Sequence, residues 1–303
     1  MKHAPRPCPV CGADNIETVG PILHPRPALV AGVELDLGDS GYWLRSCGKC
    51  DFQFKDPAID PARLMACYAQ ASSDKWEIEP DARMRKFDVL CGLLETHAVG
   101  RRVLDVGCFN GALLTCLGED WQKLGVEPSQ EAAELARARG VQILAPSVEE
   151  LGHDIAPFDA VLAIDVVEHI VDPLPFFRAV YDRMAPQGVF LLLTGDTRSP
   201  AWRLQRSMYW YCSLPEHVSF YSKPTLDWIG AQLGMQGIAC QRLCHKRLPL
   251  AWRCQDALKS AAYITGRAGR GFGIPPLRRL FVERRGPSIQ SARDHLLYVY
   301  RKP

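Results

Sequence analysis

No apolar run in this 303-residue chain approaches the roughly 18 residues that a membrane-spanning helix needs. The opening residues, Met1-Lys2-His3-Ala4-Pro5-Arg6-Pro7-Cys8, hold no apolar h-region. A secretory signal is therefore not expected, and a cytoplasmic location is the default. Net charge of one sign is nearly absent, with 36 Lys+Arg against 34 Asp+Glu. No internal repeat stands out. With 47% hydrophobic and 23% charged residues, disordered, collagenous and coiled-coil chains are excluded. Twelve cysteines in a chain this long do not make a small disulfide scaffold, which is short and lacks a large core. Eight of them, Cys67, Cys91, Cys108, Cys116, Cys212, Cys240, Cys244 and Cys254, are scattered, and most of these sit among apolar neighbours and read as small buried hydrophobes.

The balanced charge hides an asymmetry. Residues 241–303 carry 14 Lys+Arg and 3 Asp+Glu, giving +11, and the rest of the chain carries 22 and 31, giving −9. A basic last segment on an acidic body points to an anionic partner, or to a solvated face whose arginines pair with that body.

The hydrophobic pattern divides the chain. Residues 1–60 are rich in Pro, Gly and Cys, with short strand-like runs such as Tyr42–Ser46. Residues 61–100 read as a helical linker or lid, with Leu64, Cys67 and Tyr68 on one face and Met84, Phe87, Leu90, Cys91 and Leu94 on another. From 101 to 245, short apolar runs alternate with helical stretches, which predicts βαβ units around a parallel sheet. Strands are expected at 102–106, 122–126, 142–144, 160–164 and 189–194, then at 238–245 and 295–301. Helices are expected at 111–117, at 130–139 behind an N-cap at Ser129, at 174–184 and at 225–233 before Gly234. Residues 246–292 form a basic helical insertion broken by glycines and Pro275-Pro276, and 293–303 close the sheet.

The strongest local signal is Val103-Leu104-Asp105-Val106-Gly107-Cys108-Phe109-Asn110-Gly111. An apolar strand runs into a glycine-containing turn, and ligands in such folds sit at the carboxyl ends of the strands. A dinucleotide fingerprint would place glycines at 107, 109 and 112, where this chain has Gly, Phe and Ala. NAD and FAD are thus disfavoured. Glu127 ends the next strand, placed to accept hydrogen bonds from both ribose hydroxyls of a nucleoside.

Together with Phe158–His169 and with Leu174–Thr194, including Met184-Ala185-Pro186-Gln187-Gly188, this stretch resembles the class I S-adenosylmethionine-dependent methyltransferases. The resemblance covers residues 101–245. It implies a Rossmann-like, doubly wound, seven-stranded α/β fold. It also implies cofactor contacts from Asp105, Gly107, Cys108, Phe109, Asn110, Gly111, Glu127 and Pro128. Ser147 and Val148 would flank the adenine, and Asp165 would lie near the cationic sulfonium. Phe109 stands where the family usually has glycine.

Cys8-Pro9-Val10-Cys11 and Cys47-Gly48-Lys49-Cys50 are two C-x-x-C knuckles. Four thiolates suit tetrahedral Zn2+, and with all four positions filled by protein the site is structural. Glycines after Cys11 and Cys47 permit the turn around the metal. Such a module ahead of a methyltransferase domain is similar to deoxysugar C-methyltransferases and to methyltransferases of polysaccharide and natural-product clusters, although some rRNA methyltransferases also have a zinc knuckle.

Methyl transfer is an in-line displacement that needs alignment, exclusion of water and often a base. Two histidines are candidates: His169, after Glu168, and His217, in Glu216-His217. The second pair resembles an element that sugar C-methyltransferases place over the substrate, with Leu214 where those enzymes have tyrosine. A Glu-His pair at 168–169 would equally brace a strand end. Tyr68 and the segment to Trp76 are a candidate lid, and Tyr209, Trp210 and Tyr211 are aromatic faces suited to sugar rings. There is no Asn/Asp-Pro-Pro-Tyr/Phe tetrapeptide of the kind amino-methylating nucleic-acid enzymes use, so nucleic acid is not the favoured partner.

The leading expectation is a zinc-containing methyltransferase acting on a sugar, nucleotide-sugar or glycan, at oxygen rather than carbon. Its basic segment 246–292 would bind nucleotide phosphates or lie peripherally on an anionic membrane surface. Alternatives are an RNA methyltransferase, and a non-catalytic cofactor-binding scaffold.

Overall fold

The computed structural model describes residues 4–38, 41–71, 80–244, 250–271 and 293–303. The chain opens with five short strands: β1 (Ile16–Ile22), β2 (Leu29–Val30), β3 (Val33–Glu34), β4 (Tyr42–Cys47) and β5 (Gln53–Asp56). Helices α1 (Pro61–Ala69) and α2 (Pro80–His97) follow. Asp60 caps α1 through Ala62 N, and Pro61 at its first position has no N–H to leave unpaired. Leu64 and Cys67 of α1 and Leu90 and Leu94 of α2 are buried, as their helical spacing requires.

The βαβ region then delivers β6 (Arg102–Val106), β7 (Gln122–Val126), α3 (Gln130–Ala138), β8 (Gln142–Ala145), β9 (Phe158–Ile164), α4 (Pro173–Arg183) and β10 (Met184–Gly195). Short helices α5 (Pro200–Gln205) and α6 (Trp210–Ser213) lead to a two-residue strand, β11 (Ser219–Phe220). The chain continues through α7 (Lys223–Leu233), β12 (Gln236–Leu243), α8 (Leu250–Gly271) and β13 (His295–Arg301). Ser129 and Ser222 cap α3 and α7 by accepting from Ala132 N and Thr225 N.

Seven strands form one sheet in the order β12-β13-β10-β9-β6-β7-β8. Strands β6 to β10 are parallel, while β13 runs antiparallel to β10 and β12. Strands buried on both faces must be continuously apolar, and Val161-Leu162-Ala163 and Phe190-Leu191-Leu192-Leu193 meet that condition. The chain enters at β6, builds out to β8, then returns to β9 on the other side. That reversal opens a crevice at the carboxyl ends of β6 and β9. A second, four-stranded sheet has the order β1-β4-β5-β11. Its last strand lies more than 160 residues along the chain from β5, and local pattern gave no sign of it. Cys8, Cys47, Cys50, Phe52 and Phe54 pack in one core with Phe177, Phe190 and Tyr221, so the cysteine-rich region shares the interior of the large sheet.

The helix expected at 111–117 is instead a single 3-10 turn, Leu114–Cys116. Thr115 Oγ1 and Cys116 Sγ both turn back to Ala112 O, at 2.8 and 3.8 Å, and such side-chain bonds compete with a helix ladder. In the basic segment, α8 is the described part, and 245–249 and 272–292 lie outside the described residues. No helix among the described residues is long and apolar enough to cross a membrane.

Phe177 sits edge-on to Phe190 at 5.8 Å and to Tyr300 at 6.4 Å between ring centroids, fully buried. Phe177→Ala is expected to destabilise the fold by about 3–5 kcal/mol. Urea denaturation checks this: the midpoint should fall with the slope unchanged.

Candidate functional site

The turn after β6 lies in the crevice. Gly107 and Gly111 take φ of +68° and +73°. A Cβ on them would stand 2.9 Å from Val166 Cγ2 and 2.8 Å from Val141 Cγ2, so both glycines serve conformation and close packing. Phe109 holds φ +49°, a left-handed conformation that costs an ordinary residue about 1–2 kcal/mol. The backbone shape a glycine would give thus survives with a half-buried ring attached. Glu127 ties this turn to the end of β7: Phe109 N donates to Oε2 at 2.8 Å and Ser129 N to Oε1 at 2.9 Å. Burial pushes the Glu127 carboxyl upward against those two donors. Burial, then the nearby Glu127, push Asp105 up to about 7.

Several expected cofactor residues are placed differently as side chains. Cys108 is buried toward Gly125, whose added Cβ would meet its sulfur at 2.5 Å, so only its backbone lines the turn. Asn110 is buried; its side chain accepts from Ala112 N and its carbonyl from Arg139 Nη1, at 3.2 and 2.6 Å. Val148 lies in the core, and Ser147 Oγ donates to Glu150 at 3.0 Å. Pro128 is half-buried between Glu127 and Ser129. Asp165, just after β9, has φ +56° and meets Lys86 of α2 at 2.5 Å.

On the other side of the crevice, Glu168, His169 and His217 come together, with ligand atoms within 4.8 Å of one another. Glu168 is fully buried and accepts from Thr194 Oγ1 at 2.9 Å and Tyr211 Oη at 2.5 Å. Both oxygens are engaged, so this carboxyl braces the strand end. Burial and the charge of Asp165 raise it. The His169 and His217 rings meet edge-to-face at 4.8 Å, and the Tyr68 hydroxyl lies 2.6 Å from His169 Nδ1. Burial depresses both histidines, His169 to about 4 and His217 well below its usual range; the neighbouring His169, Lys55 and His295 push His217 further. Both are neutral at physiological pH. The buried Nδ1 of His217 and Oε2 of Glu216 have no hydrogen-bond partner among the described residues.

The sequence reading missed three contributors. Lys55, fully buried on β5, donates to Leu214 O at 2.5 Å and Pro215 O at 3.3 Å. Asp294 and His295 pair at the start of β13, with 2.9 Å between Oδ1 and Nδ1, and Tyr209 Oη donates to the other oxygen. An Asp-His dipeptide opening an apolar strand was a visible clue; a lysine beside two phenylalanines was not. Tyr209 and Tyr211, expected as sugar-stacking faces, are buried structural donors instead. The candidate lid beyond Tyr68 falls at 72–79, outside the described residues.

The four knuckle cysteines converge, with Cys8 Sγ 3.6 Å from Cys50 Sγ and Cys11 Sγ 3.4 Å from Cys47 Sγ. Thiolates about 2.3 Å from a tetrahedral zinc stand roughly 3.8 Å apart, so the donor set fits that ion. Gly12 follows Cys11 with φ +67°, but Asp51, after Cys50 and with φ +64°, takes the corresponding role in the second knuckle. Gly48 was expected there; its bare α-carbon admits Asn15 instead, 2.5 Å from an added Cβ.

A family model described as a methyltransferase domain matches residues 81–239, just over half of the chain. The ubiquinone biosynthesis O-methyltransferase of Ruegeria pomeroyi is 35% identical over 194 residues, covering 56% of this chain and 74% of that protein. The enzyme of the same name from Idiomarina loihiensis is 27% identical over 161 residues, covering 48% and 65%. The chain thus spans just under two thirds of that curated relative, and 41% of the one from Caulobacter sp. (strain K31). The N-methyltransferase NodS of Bradyrhizobium japonicum WM9, solved with S-adenosyl-L-homocysteine, superposes with a TM-score of 0.50 at 13% identity. That match covers 81% of this chain and all of NodS, and is a likeness of fold alone.

Two outcomes are expected. Carboxyls raised by burial contribute stability that is lost as pH rises through about 7, the value for Asp105. A cationic ligand in the crevice favours their ionised forms, so S-adenosylmethionine affinity should rise by up to about tenfold between roughly pH 6 and 7, with proton release. Calorimetry in two buffers of different ionisation heat measures both; a flat profile would remove Asp105 and Glu127 from the linkage. Metal analysis should find one zinc per chain, lost in Cys47→Ser.

Proposed function

The chain belongs to the methyltransferase-domain family, and from that premise we propose that it moves a methyl group from S-adenosylmethionine to a hydroxyl oxygen of a small, ring-bearing acceptor. When bound, the cofactor supplies an electrophilic methyl carbon. Glu127 and the turn from Asp105 to Gly111 would hold its nucleoside, and the carboxylate of Asp165 would exchange Lys86 for the cofactor's cationic end.

His217 would be the general base, and its unpartnered Nδ1 carries the reading. A buried, neutral imidazole with a free nitrogen is ready to take a proton without first losing one. Because burial makes it a weak base, it matches an acidic hydroxyl. A phenol, with a pKa near 10, suits it better than an aliphatic sugar hydroxyl, whose acidity is nearer that of water at about 15.7. The O-methyltransferase names of the relatives point the same way. The loss of Tyr209 and Tyr211 as stacking faces weakens the sugar reading further. Glu216, with an unpartnered oxygen, would orient the acceptor; His169, bonded to Tyr68, would wall the site and exclude water. The four-cysteine cluster would hold a structural zinc outside the chemistry.

The purified protein should methylate a catechol-type phenol in preference to a nucleotide-sugar, read by mass spectrometry of the product. His217→Ala should lower kcat by about 10²–10⁴-fold while S-adenosylhomocysteine binding persists. Undiminished turnover in that variant would remove His217 as base, and exclusive methylation of the sugar would overturn the acceptor class.

A further inference from the structure

The segment that carries Glu216 and His217 is held from the cysteine-rich side. Its strand β11 pairs with β5, Ser219 opposite Phe54 and Phe220 opposite Gln53. Lys55 bonds it three times: through its own N–H to Val218 O at 3.0 Å, and through Nζ to Leu214 O and Pro215 O. These contacts bracket Glu216 and His217 on both sides in the chain. The second knuckle reaches the same region directly. Cys50 O accepts from Thr225 Oγ1 at 3.0 Å, and Asp51 accepts from Ser222 Oγ at 2.6 Å and Arg198 Nε at 2.8 Å. The cofactor turn is tied elsewhere: to Glu127, to Arg139 of the loop after α3, and through Ser129 to Ala71 O at the end of α1.

We infer that the knuckle module is a working half of the site, with Lys55 as positioning residue for Glu216-His217, so that metal held by Cys8, Cys11, Cys47 and Cys50 governs the order of the acceptor side and not of the cofactor side. The inference rests on the methyltransferase reading of that site. Its physical basis is the short path from ligand to loop. Two strands and one knuckle turn separate the sulfurs from β11. Four thiolates at such spacing repel one another unless a cation binds them, and without the ion the thiols have only weak S–H contacts to keep the knuckles together. Lys55 has no water to replace the carbonyls it would lose, because its side chain is fully buried. An ammonium or amine in that position is worth keeping only while the 214–215 carbonyls face it.

Hydrogen exchange with mass spectrometry on the full, zinc-loaded chain tests this without any acceptor. Amides of 213–220 should exchange at least about tenfold faster after zinc chelation under reducing conditions, and likewise in Lys55→Met. Lys55→Arg, which keeps donors for both carbonyls, should restore most of the protection. Amides of 104–111 and 125–129 should change by less than about twofold throughout, with S-adenosylhomocysteine still bound. Unchanged exchange at 213–220, an equal rise in both regions, or Arg as exposed as Met would each overturn the inference. Chelation of the native sequence keeps the test valid if Lys55→Met fails to fold. Failure of the zinc-loaded native protein to bind S-adenosylhomocysteine would instead refute the methyltransferase reading, and leaves the exchange result readable by itself.

Discussion

The buried carboxyl of Glu168 is the point on which the site depends. It takes one hydroxyl from Thr194 on β10 and one from Tyr211 on α6. The Tyr211 oxygen in turn accepts from Gly195 N at 3.1 Å, and Glu168 O accepts from Val218 N at 2.8 Å. Three stretches of the chain, at 168, 194–195 and 211–218, are thereby fastened at the end of the large sheet. A buried carboxyl without donors would be expensive, and one with two hydroxyl donors is orienting. His169, next in the chain, inherits its place from this anchor, and His217 packs against His169.

Desolvation then sets the chemistry. The same burial that raises Asp105, Glu127 and Glu168 depresses His169 and His217. Near neutral pH the crevice therefore presents neutral imidazoles on one side and, in Asp105, a carboxyl close to its titration range on the other, beside a Glu127 carboxyl that burial also raises. The first arrangement suits proton acceptance from a hydroxyl. The second suits a cationic cofactor that completes the ionisation of the carboxyls as it binds.

The two sheets are joined where these halves meet. Strand β11 is too short to stand alone, and it is stable because β5 offers it an edge while Asp196 bridges to Tyr221. Phe52 packs edge-on to Tyr221 at 5.3 Å. The cysteine-rich region is thus built into the framework that carries Glu216 and His217, and a chain cut before α1 would expose a face of the common core.

Much of this was legible from residues alone. Continuous apolar runs between helical stretches gave β6, β7, β8 and β13 to within a residue and β9 to within two, whereas β10 begins at Met184, five residues before the expected start; the central strands, buried on both faces, leave no polar alternation to confuse them. Gly107, Gly111 and Glu127 were legible because a tight turn and a strand-end carboxylate are local requirements. The four cysteines were legible because knuckle spacing is local too. What only the tertiary structure decided was long-range and polar. The roles of Lys55, Thr194 and Asp294 depend on partners more than 20 and up to 160 residues away. Glu168 as brace and His217 with a buried, unpartnered Nδ1 look identical in a sequence. Which of them has its hydrogen bonds filled is settled by which donors the fold brings within 3 Å, and no local pattern encodes that.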